Sequence, residues 1–334
     1  MKIENTIGLF ISLLLILASC SGNRLNVDIS QTAVDQDFYY VDGLLSNVSK
    51  QELTANHAML QKKLGSLYMY EWRQNLRMNS SDSIENKIYQ FYNAEYIKDL
   101  EKSKNELIPK IMKKENRITD AFRYFTFHFK SAPLPYRVIY MNKLFSNIHC
   151  SDSAITIAPE SYLDSESEII SSIPKNQLYE WQKNRMDLQY LERDIAFNWI
   201  QVQLFDEIDK QLAQHIIQAG KILYATNACF PEAEESYILR YSEQDWNWAE
   251  QNEDLTWDHL VKEQLLFKNN RRDKANFLNA GPTTVGLPDE SPDRMGQFLG
   301  YKMVKGFMEE NKKVSLQELL KIDYNKILQS YEID

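Results

Sequence analysis

Residues 187–205, DLQYLERDIAFNWIQVQLF, and residues 207–228, EIDKQLAQHIIQAGKILYATNA, decide the fold. Each is long enough for several helical turns, and the first reads as an amphipathic core helix. Two such segments in succession predict a helical core. Toward the C-terminus, Ser242 with Asp245 predicts an N-cap and an acidic first turn ahead of Trp246 and Trp248. Thr256 to Phe267 continues as helix, and Asn269 to Glu290 is a polar loop holding Gly281-Pro282. Ser291-Pro292 predicts an N-cap with proline at the first helical position. Ser315 with Glu318 is a capping box ahead of Leu316, Leu319 and Leu320.

Toward the N-terminus, Arg137–Met141 is β-prone and Ala154–Ala158 alternates at period two. Ile118, Phe122, Phe125 and Phe129 form a helical stripe that Pro133 and Pro135 end. Ile84, Ile88, Phe91 and Tyr92 follow a polar break at 79–83, and Leu60, Leu64, Leu67, Tyr68, Trp72 and Leu76 mark a helix that begins near Gln51. The prediction is one mainly α domain over 51–334 with a small antiparallel sheet, of α+β class. Residues 20–50 show little periodicity and read as a lipidated N-terminus and tether.

Composition narrows the function. Thirty-eight basic and 47 acidic residues give a net charge of −9 with no basic block, which argues against nucleic acid as partner. Ten glycines and nine prolines are too few for a turn-rich β-sandwich, and 43% hydrophobic residues suffice for a core.

The first twenty residues carry an address. Ile7–Leu17 is an apolar run too short to span a bilayer, which takes about 20 residues as a helix. Leu17-Ala18-Ser19-Cys20 follows it as a bacterial lipobox, so residues 1–19 read as a lipoprotein signal peptide and Cys20 as the lipidated first residue of the mature chain. The acyl chains would anchor the protein to a membrane. Cys150 and Cys229 remain, as one disulfide or two separate buried thiols. Their separation of 79 positions favours the second.

Chemistry-bearing patterns are sparse. His57, His128, His149, His215 and His259 stand alone, with no His-Glu-x-x-His, so no metal site and no cofactor is predicted. His149-Cys150 does not make a base and nucleophile, because neighbours in a strand point to opposite faces. Trp246, Trp248 and Trp257 could stack a sugar, but the eleven-residue spacing of Trp246 and Trp257 favours a core stripe. Asp82-Ser83-Ile84 and Asp152-Ser153-Ala154 match a short O-glycosylation acceptor pattern.

The C-terminal half resembles the gliding-motility lipoprotein B family of Bacteroidetes. The resemblance rests on Gly220–Tyr224, on Tyr241–Gln244 with Trp248 and Glu250, and on Phe277–Thr283. Glu290–Tyr301 and Val314–Leu320 complete it, and Ser291-Pro292-x-Arg294-x-Gly296 is its most specific piece. That family looks like a degenerate relative of zincin metalloproteases. Laid on that pattern, Phe197 and Gln201 replace two metal-binding histidines, Asn198 replaces the general base, and Ala219 replaces the third ligand. No acidic cluster follows Cys20, which points to an outer-membrane anchor facing the periplasm.

Within the resembling segment, Arg294 near a helix start needs a compensating carboxylate, for example Asp289, Glu290 or another buried one. Gly296 and Gly300 share a helix face and cost about 1 kcal/mol each relative to alanine, so another element should approach closely there. That element is a core helix or a partner protein. Arg294, Gly296, Gly300 and Glu290 are therefore the candidate structural or interaction surface. The expectation is a non-enzymatic envelope lipoprotein that supports gliding motility, or a linked envelope machine, through an unidentified protein partner. The alternative is a peptide or cell-wall hydrolase of zincin-like ancestry, which requires a metal or a polar cluster beside the 187–224 helix pair.

Overall fold

The computed structural model describes residues 23–77 and 83–332. The signal segment and Cys20 lie outside those residues, as does Asp82 of the first glycosylation pattern.

Four strands form one sheet in the order β1 (Asp37–Tyr40), β2 (Arg137–Tyr140), β4 (Ala154–Ile157), β3 (His149–Cys150). β1 pairs β2 and β2 pairs β4 in parallel, and only β3 and β4 are antiparallel. The sheet is mixed, which corrects the expected antiparallel one. β2 and β4 lie close in sequence and suggest a hairpin, but the chain runs back along β3 before entering β4.

The sheet is buried on both faces, as parallel strands usually are. Alternation at period two sends Val138, Tyr140, Ile155 and Ile157 into the larger core, and Ile139, Met141 and Ala154 into a smaller one. Helices of eight residues or more are numbered here. Over the smaller core lie α1 (Lys50–Asn75), α2 (Ile84–Asn93) and α3 (Glu95–Lys104). Leu60, Leu64, Tyr68 and Trp72 of α1 are buried at the predicted spacing. α1 breaks stride at Gly65, whose φ of 73° glycine adopts at little cost.

The larger core is built on α4 (Glu115–His128), α5 (Leu191–Leu204) and α6 (Leu212–Cys229). α7 (Glu243–Gln251), α8 (Glu253–Lys262), α9 (Arg271–Leu278) and α10 (Met295–Glu310) complete it. The N-cap at Ser242 and the capping box of Ser315 with Glu318 form as predicted, and Asp245 closes a capping box at Ser242 as well. Trp246 meets Phe298 edge to face and Trp257 meets Tyr331, so both tryptophans are packed against the core.

α6 and α10 cross with their backbones in contact. A Cβ on Gly300 would lie 2.0 Å from the Ile216 carbonyl oxygen, and one on Gly220 2.0 Å from that of Gly300. Gly296 sits against α9, where a Cβ would be 2.9 Å from the Phe277 carbonyl oxygen. The close approach expected at Gly296 and Gly300 is therefore to helices of the same chain.

Residues 23–50, expected to be part of a tether, instead pack on the folded body. Asn23 Nδ2 donates to the Pro231 carbonyl at 2.7 Å, and the Arg24 guanidinium donates to the carbonyls of Met308 and Val314. Leu25 is buried in the larger core, and β1, Val41 and Leu45 belong to the domain. A strand four residues long, reading Asp-Phe-Tyr-Tyr, carries too little alternation to announce itself.

Candidate functional site

A cleft of about 920 Å³ opens beside the N-terminal end of α5. Four arginines from separate parts of the chain line it. Arg185 comes from the loop ahead of α5, and Arg193 from its first turn. Arg240 ends the short helix Glu235–Leu239, and Arg294 immediately precedes α10.

Two aspartates hold them. Asp194 accepts from Arg193 at 3.2 Å and from the Tyr162 hydroxyl at 3.1 Å, and it forms an ion pair with Arg240 at 3.3 Å. Asp293 accepts from Arg185, from Arg294 Nε at 3.0 Å and from the Gly281 N–H at 2.9 Å. Arg193 and Arg294 also donate to the carbonyls of Ile238, Leu239 and Arg240, so they cap the C-terminal end of the Glu235–Leu239 helix.

Four guanidiniums against two carboxylates leave an excess of two positive charges. Burial pushes Arg185 down to about 10, with Arg294 adding to the effect, and burial pushes Arg193 down to about 10 as well. Both stay charged at neutral pH. Arg193 Nη2 and Arg240 Nε are buried with no hydrogen-bond partner among the described residues. Arg185 and Arg240 keep 22% and 21% of their side chains exposed, so they are the two that face the opening.

Backbone strain gathers at the same place. Among the described residues, seven other than glycine have positive φ, and four of them line the cleft or adjoin its lining: Leu144, Phe145, Arg240 and Arg294. Each such residue costs about 1 kcal/mol or more, and strain of this kind concentrates at binding and catalytic sites. Arg294, at φ 58°, is the residue before the helix rather than its third member. The predicted Ser291 cap is thus corrected. Ser291 is buried, and Thr284 Oγ1 instead accepts from the Met295 N–H at 3.1 Å while donating to the Pro292 carbonyl at 2.8 Å. The carboxylate that compensates Arg294 is Asp293. Asp289 and Glu290 are exposed on the loop.

Other sequence candidates find their places around this cleft. Phe197, Asn198 and Gln201 of α5 line it, while Ala219 lies on α6. No group of three or more His, Cys, Asp or Glu able to hold a metal exists among the described residues. His149 lines the far side, with Nδ1 2.8 Å from Glu71 Oε1. Burial pushes the Cys150 thiol up to about 12, so it is protonated at neutral pH. Cys150 and Cys229 are separate free thiols.

The arginine cluster was not foreseen except at Arg294. One signal was present: Glu192-Arg193-Asp194 stands between Leu191 and Ile195. Three consecutive helical residues fan over about 200°, so charges at all three cannot all face water.

No curated protein and no solved structure matches the chain. No helix among the described residues is long and apolar enough to cross a membrane. Neither the site nor the comparisons support the zincin-like resemblance. A family model described as gliding motility protein GldB matches residues 22–332, including every residue of the cleft. The chain belongs to this gliding-motility lipoprotein family, which is not a known enzyme family.

Proposed function

We propose that this lipoprotein is anchored through Cys20 in the outer membrane, faces the periplasm, and serves the gliding machine by holding a partner protein in the arginine-lined cleft, without a chemical step of its own. The observation that carries this reading is the buried positive excess of two at a preformed, strained opening. Such a site favours recognition, because its charged groups are locked in ion pairs and a partner supplies the missing counter-charge. The lipobox supports the anchor. Asn23 already docks on the folded body, so only a few residues would separate the lipid from the domain, which holds the body against the membrane.

Deletion of the gene in its host tests the role. Lost colony spreading, restored by the intact gene and not by Cys20→Ala, supports the reading, and normal spreading contradicts it. About one zinc per purified chain would favour the hydrolase alternative instead.

A further inference from the structure

We propose that the cleft is a receptor for an acidic peptide segment, in which Arg185 and Arg240 take a carboxylate of the partner and α5 takes its backbone. The proposal rests on the reading of the cleft as the partner's seat and names the chemistry that fills it.

The charge argument comes first. Each aspartate is shared by two arginines, so each trio carries one net positive charge. Arginine cannot shed its proton near neutral pH, and uncompensated buried charge is costly. The guanidinium fork matches a carboxylate in two parallel hydrogen bonds, and the two arginines that reach the opening are each tied to only one carboxylate. Among the described residues, Glu207, exposed at the rim, is the one acidic lining residue besides Asp194, so no ring of carboxylates from them screens the entrance.

The remaining lining separates a peptide from an inorganic anion. Asn198 Nδ2 donates to the Asp194 carbonyl at 2.8 Å, and Gln297 Nε2 donates to the Leu278 carbonyl at 2.6 Å. Their amide oxygens accept no hydrogen bond among the described residues. Phosphate dianion brings a single hydroxyl donor to these two acceptors, whereas a peptide brings an N–H at every residue. Trp181 and Phe197 add apolar surface for its side chains. Gln201, exposed on α5 at the mouth, provides a handle that leaves the buried ion pairs untouched.

Calorimetric titration of the full-length lipoprotein in detergent tests this. The probes are N-acetyl-(Ala-Glu)3-amide, its glutamine counterpart and inorganic phosphate. The glutamate peptide should bind at least about tenfold more tightly than the other two, and its affinity should fall several-fold when salt rises from about 50 to about 200 mM. Gln201→Lys should tighten it and Gln201→Glu weaken it, each by about threefold, and Arg240→Gln should remove most of it. Equal binding of the two peptides, no binding, indifference to charge at position 201, or phosphate binding as tight as the peptide would each overturn the proposal. Absent peptide binding together with lost spreading in the deletion strain would sink this proposal and leave the proposed function standing. Peptide binding with normal spreading would do the reverse.

Discussion

Around Lys104 three carboxylates gather, whereas around Asp194 and Asp293 four arginines do, and both clusters are buried. In the first, Lys104 Nζ lies 2.6 Å from Asp42 and 2.7 Å from Glu101, and Glu160 is fully buried nearby. Asp42 also accepts from the Tyr92 hydroxyl at 2.5 Å and from the Asn142 N–H at 2.9 Å. This cluster can neutralise itself. Burial, with Asp42 adding repulsion, pushes Glu101 up to about 7, and burial raises Glu160 as well. A proton from water settles the account there. The arginine cluster has no such route, because its groups hold their protons through the physiological range. Surplus negative charge in a protein interior is quenched by solvent protons, and surplus positive charge on arginine persists until an anion arrives. The two regions therefore read differently: the Lys104 cluster as a structural hub, the arginine cleft as a seat.

The largest effect that would test this contrast comes from removing one partner on each side. Asp194→Asn strands Arg193 and Arg240, and Lys104→Met strands Asp42 and Glu101. Each should lose about 3–5 kcal/mol in denaturant unfolding. The expected rescues differ: glutarate should restore part of the loss in Asp194→Asn only, and mild acid part of it in Lys104→Met only. Identical responses would erase the distinction.

A smaller effect follows from pH. Glu101 keeps its proton up to about 7 in the folded state but loses it near 4.5 when unfolded. The folded state therefore binds more protons across that window, and its stability falls as pH rises through it, by at most about 3 kcal/mol. Glu101→Gln should flatten this slope. His57, His128 and His215, each lowered by burial, tilt both proteins the opposite way, so the difference between the two proteins isolates Glu101. An unchanged slope in the variant would contradict the self-neutralising account.

The smallest effect concerns the intact cleft. Replacing chloride with glutarate at equal ionic strength should stabilise the wild type by about 1 kcal/mol or less. Arg185→Gln/Arg240→Gln should show no such gain, and an equal gain in both would place the effect elsewhere.

Much of the helical framework was legible because its signals are local. The caps at Ser242 and Ser315 each need four residues, and the stripes at Leu60–Trp72 and Ile118–Phe129 repeat within a few turns. The sheet was misread because β1 joins β2 across about a hundred residues, and no local pattern declares that pairing. Gly300 announced a close approach but not its partner, since Ile216 and Gly220 lie on a distant helix. The cleft was hidden for the same reason. Its arginines span positions 185 to 294 and converge only after α5, α10 and the Glu235–Leu239 helix have packed. Arg294 drew notice through its helix end, yet its left-handed backbone and its pairing with Asp293 depend on Thr284 and Gly281 from the preceding loop.

The central claim is that an acidic peptide enters at the arginines and nowhere else. Hydrogen–deuterium exchange of the full chain, with and without N-acetyl-(Ala-Glu)3-amide, tests it most directly. Slowed exchange confined to residues 185–201, 238–241 and 293–297 is the result this account predicts. Unchanged exchange there, or slowing confined to another face, would contradict it.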